Sequence, residues 1–270
     1  MKSLSTLTAM GVLSCLGGAA CASPAKDAET EQPGESTATL ERHVAPGGNF
    51  DLSVWELQEP VGPPGHPTTI ASARLRGPNG FQDRYFYTDS NDDGSMTFWT
   101  PENGSTTANS DHARSELREM NANGSPANWN PFSGNHTLSA TVKVSKVPYK
   151  VCVGQIHLGT GTPPSSKPLL ELYYYSSGEI TVGIQRSPTD GQYTDNLGHA
   201  DVGSPWNYEI GLSGRTISIT VDGRSKHYTM ASSFDHEGMY FKAGNYIQSS
   251  GGSSSVGSLV HFYKLRISHH

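Results

Sequence analysis

Apolar and polar residues alternate in short runs along the chain from residue 50 onward, and clusters of Gly, Pro, Asn, Asp and Ser separate the runs. Side chains at every second position of a β-strand share a face, so this alternation predicts strands with one buried face. Patterns of helical period are scarce. The predicted strands cover residues 50–58, 96–100, 113–119, 136–144, 151–158, 169–175, 179–185, 206–212, 216–221, 239–248 and 259–267.

The turn signals between these runs favour one large all-β domain, which we place at residues 46–270. Asp222-Gly223 is a tight-turn pair directly after one run, and it predicts a hairpin. Many short strands with such turns between them are typical of a β-sandwich or barrel.

The N-terminal segment has a different composition. A short basic start precedes residues 4–22, which carry no charge and end in the small residues Ala20-Cys21-Ala22. This pattern predicts a secretory signal peptide at residues 1–22 and a secreted protein. A membrane anchor is disfavoured because Ser, Thr and Gly interrupt the run, and a lipoprotein signal ending at Cys21 is the remaining alternative.

Residues 23–45 contain almost no large apolar side chains, so we expect a flexible linker there. Of the three cysteines, only Cys152 lies outside the predicted signal. The domain is therefore expected to have no internal disulfide, and Cys152 is expected to be a small buried residue.

The formal net charge of -6 argues against a protein that binds nucleic acid through its overall field. An acidic ligand would need a local cationic cleft. We expect no metal and no cofactor, no membrane or nucleic-acid partner, and a monomer. Residues 89–94, D-S-N-D-D-G, match the start of a calcium loop, but Thr100 stands where such a loop needs Glu, so they are predicted to form an acidic turn.

Three predicted strands each place unusual polar groups on one face. Any one of these faces is typical of a solvated sheet with cross-strand ion pairs. Together they supply guanidinium, ammonium, amide, imidazole and phenol groups, which suit a sugar chain that bears carboxylates. These groups belong to Arg114, Glu116 and Arg118, to Gln155 and His157, and to Lys242, Tyr246 and Gln248. Strict alternation points Cys152 to the opposite face from Gln155.

The motifs R-S-E-L-R, Q-I-H and Y-F-K-A-G-N-Y-I-Q occur in this order and closely resemble three signature regions of the alginate lyases of polysaccharide lyase family 7. The segments G-S-M-T-F-W-T-P and N-S-D-H-A-R-S-E-L-R-E are also similar to that family. The resemblance spans roughly residues 46–267. It implies a β-jelly-roll sandwich of two antiparallel sheets with a substrate cleft on the concave face.

The same resemblance implies a secreted enzyme that cleaves the 1,4-glycosidic bonds of alginate by β-elimination. Its products would be oligosaccharides with a 4,5-unsaturated uronate at the non-reducing end. The implied catalytic residues are Arg114, Gln155, His157 and Tyr246, and the implied substrate-binding residues are Glu116, Arg118, Lys242 and Gln248.

Tyr246 is the implied proton carrier, acting as base and acid on mannuronate and as acid beside a His157 base on guluronate. A free tyrosine has a pKa of about 10, and we expect Arg114 and Lys242 to lower the pKa of Tyr246. Glu116 is expected to orient the two arginines. Gly244 is expected to leave room for a sugar ring, and one of Tyr173, Tyr174 and Tyr175 is expected to line the cleft.

Two alternatives remain open from the sequence. One is a non-catalytic jelly-roll carbohydrate-binding module, which would need no proton-transfer residue beside a carboxylate clamp. The other is a lyase of the same fold that acts on another polyuronate, such as glucuronan.

Overall fold

A computed structural model of the chain describes residues 39–159 and 167–270. The predicted signal peptide at residues 1–22 and most of the predicted linker lie outside the described residues. No helix in the described ranges has the length and apolar character needed to cross a membrane.

Fifteen strands form two antiparallel sheets in the described part of the chain. The eight-stranded sheet has the order β10-β9-β8-β7-β14-β5-β1-β2. Its strands are β1 (Trp55–Gln58), β2 (Thr69–Ile70), β5 (Arg114–Glu119), β7 (Lys150–Leu158), β8 (Pro168–Tyr175), β9 (Glu179–Gln185), β10 (Gln192–His199) and β14 (Met239–Ile247).

The seven-stranded sheet has the order β13-β12-β11-β6-β15-β4-β3. Its strands are β3 (Phe86–Thr88), β4 (Met96–Pro101), β6 (Asn135–Lys146), β11 (Pro205–Ser213), β12 (Thr216–Val221), β13 (Arg224–Thr229) and β15 (Gly257–His269). Within residues 39–159 and 167–270 the helices are two four-residue turns, α1 (Pro46–Asn49) and α2 (Ser72–Leu75), and a 3-10 turn, Ser232–Phe234.

The core consists of apolar side chains from the inner faces of both sheets. Leu117 and Ile156 of the eight-stranded sheet are fully buried, as are Val142, Ile210 and Phe262 of the seven-stranded sheet. Polar side chains of the eight-stranded sheet that alternate with this core therefore project from its outer face. The predicted sandwich of two antiparallel sheets is confirmed.

Four of the strands, β2, β3, β10 and β13, were not predicted from the sequence. β2 and β3 are only two and three residues long, and β10 and β13 are edge strands with mostly exposed or half-buried polar side chains. Edge strands often carry polar side chains on both faces, so the alternation that identifies central strands is lost. The predicted hairpin turn at Asp222-Gly223 is present between β12 and β13, with φ of 44° and 78°.

The compact domain starts at Thr39, earlier than the predicted boundary at residue 46. Leu40 packs against the core, and the backbone N–H of Ala45 donates to the carbonyl of Pro78 at 2.8 Å. Residues 39–45 therefore belong to the folded domain and not to a flexible linker.

A β-bulge in β7 between Cys152 and Gly154 shifts the alternation by one residue. Cys152 consequently lies opposite Tyr173 on one side and Tyr246 on the other. Directly paired residues share a face, so Cys152 lies on the outer face, and the sequence-based orientation was wrong. Its thiol is fully buried there, as expected.

A second irregularity lies in β14 between Ala243 and Tyr246. Gly244 has φ of 147°, and a Cβ on it would lie 2.8 Å from the backbone of Glu116 and from the carbonyl oxygen of Ser115. The close approach of β5 therefore requires a glycine here. The prediction that Gly244 makes room for a sugar ring was wrong.

Asn245, the next residue, points into the space between the sheets. Its Nδ2 donates to the carbonyls of Phe98 on β4 and Ser258 on β15 at 3.0 and 2.7 Å. Its own carbonyl accepts from the hydroxyl of Thr100 at 3.0 Å. The fully buried side-chain amide of Asn245 thus links β14 to the opposite sheet.

Candidate active site

A cavity of about 520 Å³ lies on the outer face of the eight-stranded sheet. It is lined by side chains of β1, β5, β7, β8, β10 and β14 and by the loop that precedes β5. Seven of the eight site residues predicted from the sequence line it, namely Arg114, Arg118, Gln155, His157, Lys242, Tyr246 and Gln248.

The strand register explains why these side chains meet. Lys242 on β14 lies between Arg118 on β5 and Gln155 on β7. Four residues further along β14, Tyr246 pairs with Arg114. Side chains at directly paired positions project from the same face, so β14 and its two neighbours form one continuous polar surface.

Glu116 is the predicted site residue that does not line the cavity, because its side chain is fully buried beneath it. Its carboxylate accepts from Arg114 Nη1 at 3.3 Å and also binds Lys242 Nζ and Gln155 Nε2. The predicted role in orienting both arginines is therefore corrected. Glu116 holds Arg114, Lys242 and Gln155, whereas the Arg118 guanidinium lies 4.1 Å from the centre of the Tyr240 ring.

The electrostatics of this cluster follow from burial and proximity. Burial alone would raise the pKa of Glu116, but Lys242 and Arg114 beside it hold that pKa below its ordinary value. Burial, together with the charge of Arg114, lowers the pKa of Lys242 to about 8. Glu116 is thus ionised at neutral pH and serves as the shared counter-charge of two cations.

His157 is held in a single tautomer by its backbone contact. Its Nδ1 lies 3.0 Å from the carbonyl oxygen of Leu158, and because that oxygen can only accept, Nδ1 carries the proton. Burial, with a contribution from Lys242, lowers the pKa of His157 to about 4. The ring stacks on Tyr240 with centroids 5.1 Å apart. The neutral imidazole therefore has a free lone pair on Nε2.

Tyr246 lies beneath the guanidinium of Arg114, which is 3.8 Å from the centre of its ring. Its hydroxyl lies 3.0 Å from the Oγ of Ser110. Burial raises the pKa of Tyr246 above its ordinary value, although Arg114 and Ser110 act in the opposite direction. The expectation that cations would lower this pKa was wrong, because the loss of hydration outweighs them. Tyr246 is a neutral phenol in the free protein.

Three further residues, Glu171, Tyr173 and Gln192, line the cavity beside β8. They were not predicted from the sequence to form one group. The hydroxyl of Tyr173 donates to Glu171 Oε2 at 2.6 Å, and Gln192 Nε2 donates to the same oxygen at 3.2 Å. Tyr173 is the tyrosine of the triplet that faces the cavity. Glu171 lies two positions before Tyr173 on β8, so alternation places both side chains on the same face and could have identified Glu171. Gln192 lies on β10, an edge strand that was not predicted.

A second cavity, of about 580 Å³, lies beside β4 and the loops around residues 60–64 and 103–106. Its lining includes Arg84, Tyr85 and Trp99 but contains no His, Lys, Asp or Glu among the described residues. The Tyr85 hydroxyl already binds Arg84. The pairing of an unprotonated imidazole with a phenol is therefore a property of the first cavity.

The acidic turn at residues 89–94 brings the carboxylates of Asp89, Asp92 and Asp93 close enough to share a cation. Lys143 Nζ lies 3.2 Å from Asp92 and 3.0 Å from Asp93, and the Tyr263 hydroxyl also donates to Asp93. A lysine ammonium thus supplies positive charge to this turn.

Comparison with known proteins shows that the chain is similar to alginate lyases. A family model described as alginate lyase matches residues 50–269. An alginate lyase from Klebsiella pneumoniae is 28% identical over 289 residues, which cover 83% of this chain and 91% of that protein.

Solved structures give the same result. The crystal structure of an alginate lyase from Pseudomonas aeruginosa is 33% identical, with a TM-score of 0.74 over 82% of this chain and 100% of that one. The alginate lyase A1-II′, described as a member of polysaccharide lyase family 7, is 34% identical, with a TM-score of 0.72 over 83% of this chain and 98% of that one.

Proposed function

Because the chain belongs to the alginate lyase family, we propose that it is a polysaccharide lyase that cleaves the 1,4-glycosidic bonds of alginate by β-elimination. The polymer is a chain of uronates, so its recognition requires local positive charge on a protein of net charge -6. The cavity supplies that charge through Arg114, Arg118 and Lys242. Binding is therefore local and does not depend on the overall field.

The observation that carries the proposal is the presence of an unprotonated imidazole and a neutral phenol in one cavity. In the elimination, a base takes the C5 proton, the C4–O4 bond breaks, a C4–C5 double bond forms and O4 receives a proton. His157 Nε2 can accept a proton, and the Tyr246 hydroxyl can donate one. A non-catalytic binding module would have no use for this pair.

Removal of the C5 proton also builds charge on the neighbouring carboxylate, and that charge must be stabilised. Arg114 offers fixed positive charge, and Gln155 offers the amide N–H that does not bind Glu116. Both groups are held in place by the Glu116 carboxylate before substrate arrives. Donors that are already oriented need no rearrangement during the reaction, which favours the charged transition state.

The two uronates of alginate use the pair differently in this proposal. In guluronate the C5 proton and the leaving oxygen lie on opposite sides, so His157 acts as base and Tyr246 as acid. In mannuronate they lie on the same side, and Tyr246 both removes and returns the proton. The raised pKa of Tyr246 suits the acid role directly. The base role requires that the phenolate of Tyr246 be stabilised once substrate is bound.

The test is to incubate the purified domain separately with polymannuronate, polyguluronate and glucuronan and to follow the ultraviolet absorbance of the unsaturated product. Absorbance that rises with either alginate block supports the proposal. A signal with glucuronan alone would identify a different polyuronate as substrate. Binding without product on every polymer would indicate a carbohydrate-binding module and would overturn the lyase assignment.

We further propose that the protein is secreted after removal of residues 1–22 and acts as a monomer. The composition of the N-terminal segment supports secretion. N-terminal sequencing of the exported protein should begin at Ser23, and light scattering should give the mass of one chain. A protein retained in the cell with Met1 intact would contradict the first point, and a larger mass the second.

A further inference from the structure

Ser110 lies in the loop before β5, and its hydroxyl lies at the edge of the cavity next to Tyr246. Four polar groups surround its Oγ. The Tyr246 hydroxyl is 3.0 Å away, Arg114 Nη2 3.2 Å, the backbone nitrogen of His112 3.2 Å and the carbonyl oxygen of His112 3.0 Å. The family-like segment N-S-D-H-A-R-S-E-L-R-E contains this residue, but no role was predicted for it from the sequence.

Counting protons limits how these contacts can be made. A serine hydroxyl has one proton to donate and two lone pairs to accept with. The N–H groups of His112 and Arg114 can only donate, so they occupy both lone pairs. A third donor is not accommodated, so any hydrogen bond between Ser110 and Tyr246 uses the proton of Ser110. That proton has two possible acceptors, the Tyr246 oxygen and the His112 carbonyl.

We propose that Ser110 is a positioning residue that donates its hydroxyl proton to the Tyr246 oxygen and thereby directs the Tyr246 O–H into the cavity. The inference rests on the proposed function, because it presumes that Tyr246 transfers the proton. Among the described residues, Ser110 is the one hydrogen-bond partner of the Tyr246 hydroxyl. With Ser110 as donor, the phenol proton is left free for the leaving oxygen of the substrate.

The same contact supports Tyr246 after it has lost its proton. A phenolate only accepts, so the bond from Ser110 becomes charge-assisted and shorter at the moment when negative charge appears. The charged and titratable groups that face Tyr246 are Arg114 and Glu116 on β5, Glu171 on β8 and His112 in the loop. Arg114 is the fixed cation among them, and Ser110 adds a neutral donor directly at the oxygen.

The test compares Ser110→Ala with Ser110→Thr, which keeps a hydroxyl, and with Ser105→Ala as a matched control. Ser105 lies in the same loop, and its hydroxyl donates to the Pro63 carbonyl at 3.0 Å, away from Tyr246. We expect kcat of Ser110→Ala to fall by about 10-fold to 100-fold, as for the loss of a hydrogen bond to a charged group. KM should change little if Arg114 stays in place, Ser110→Thr should recover activity, and Ser105→Ala should match the parent.

The pH profile separates this role from simple support of the loop. Without the Ser110 proton the Tyr246 phenolate is less stable. The limb of the pH-rate profile that reports the ionisation of Tyr246 should therefore move to higher pH in Ser110→Ala. On polymannuronate this is the rising limb of a base, and on polyguluronate the falling limb of an acid. Both should shift upward by about one to two units, which corresponds to the 10-fold to 100-fold effect above. A uniform loss at every pH, or a loss that Ser110→Thr does not repair, would overturn the inference.

Failure of this inference can be told apart from failure of the proposed function. If Ser110→Ala has the activity and profile of the parent while Tyr246→Phe is inactive, Ser110 has no positioning role and the proposed function stands. If the parent itself yields no unsaturated product on any polyuronate, the proposed function fails first.

Discussion

The side-chain amide of Gln155 donates a hydrogen bond to the carboxylate of Glu116, which is fully buried beneath the cavity. The same carboxylate binds Arg114 and Lys242. Three groups that face the cavity thus depend for their orientation on one acid that does not line it.

Replacing Glu116 by Gln should destabilise the domain and lower its activity. The substitution keeps the shape but leaves Arg114 and Lys242 close together without their counter-charge. Loss of one partner from a buried ion pair costs about 3–5 kcal/mol, and urea unfolding measures it. Glu56→Gln is the matched control, since Glu56 lines the cavity but is half-buried. Unchanged unfolding of Glu116→Gln would show that the shared carboxylate does not stabilise the fold.

Replacing Tyr246 by Phe should remove turnover while leaving polymer binding largely intact. The ring remains beneath Arg114, and only the hydroxyl that is proposed to transfer the proton is lost. General acid-base catalysis is typically worth about 10²-fold to 10⁴-fold, so kcat should fall at least within that range. Affinity electrophoresis on alginate reports binding. Tyr193→Phe, on edge strand β10, should remain active, and substantial activity of Tyr246→Phe would exclude Tyr246 from the mechanism.

The activity on polyguluronate should persist at unusually acid pH for an enzyme with a histidine base. A histidine base works only when unprotonated, and burial lowers the pKa of His157 to about 4. The acid limb of kcat/KM, which reports the free enzyme, should therefore lie near pH 4 and well below the ordinary histidine value of about 6.5. Circular dichroism over the same range checks that the fold is intact. A limb near pH 6.5 in the folded enzyme would contradict the buried, neutral His157.

Replacing Glu59 by Gln should stabilise the domain at alkaline pH and have little effect at pH 5. Burial and the nearby Asp83 raise the pKa of Glu59 from 4.5 to about 8. The folded state therefore holds an extra proton between those values, and stability falls as pH rises through that window. Glutamine removes this dependence, and the gain at pH 8 should be about 1–3 kcal/mol by urea unfolding.

Glu209→Gln, at an exposed position on β11, is the control for the loss of a charge and should show no such pH dependence. Equal unfolding curves of Glu59→Gln and the parent at pH 8 would show that Glu59 ionises without cost.

The central strands and the residues that line the cavity were predictable because they follow from alternation, which is a local property of the sequence. Lys242, Tyr246 and Gln155 lie where that alternation and the family resemblance place them. Cys152 was placed on the wrong face because a bulge depends on the pairing of two strands. Edge strands such as β10 were missed because no buried face marks them.

The electrostatics were the least predictable part of the site. The sequence shows that cations accompany Tyr246, but it does not show how much water the fold removes from the phenol, and that loss decides the direction of its pKa. Likewise, the choice of Lys242 over Arg118 as the partner of Glu116 depends on side-chain packing. Ser110 lies in a segment similar to the family, but its role was missed because its contacts with Tyr246 and Arg114 depend on how the loop folds.

Asn245 constrains the register of the strand that carries Lys242 and Tyr246. A slip of β14 by one residue would turn every side chain of that strand to the other face, so Tyr246 would enter the core and the amide would face solvent. Such a slip would leave the carbonyls of Phe98 and Ser258 without their donor. The buried side-chain amide of Asn245 therefore selects the one alignment in which Tyr246, the proposed proton-transfer residue, faces the cavity.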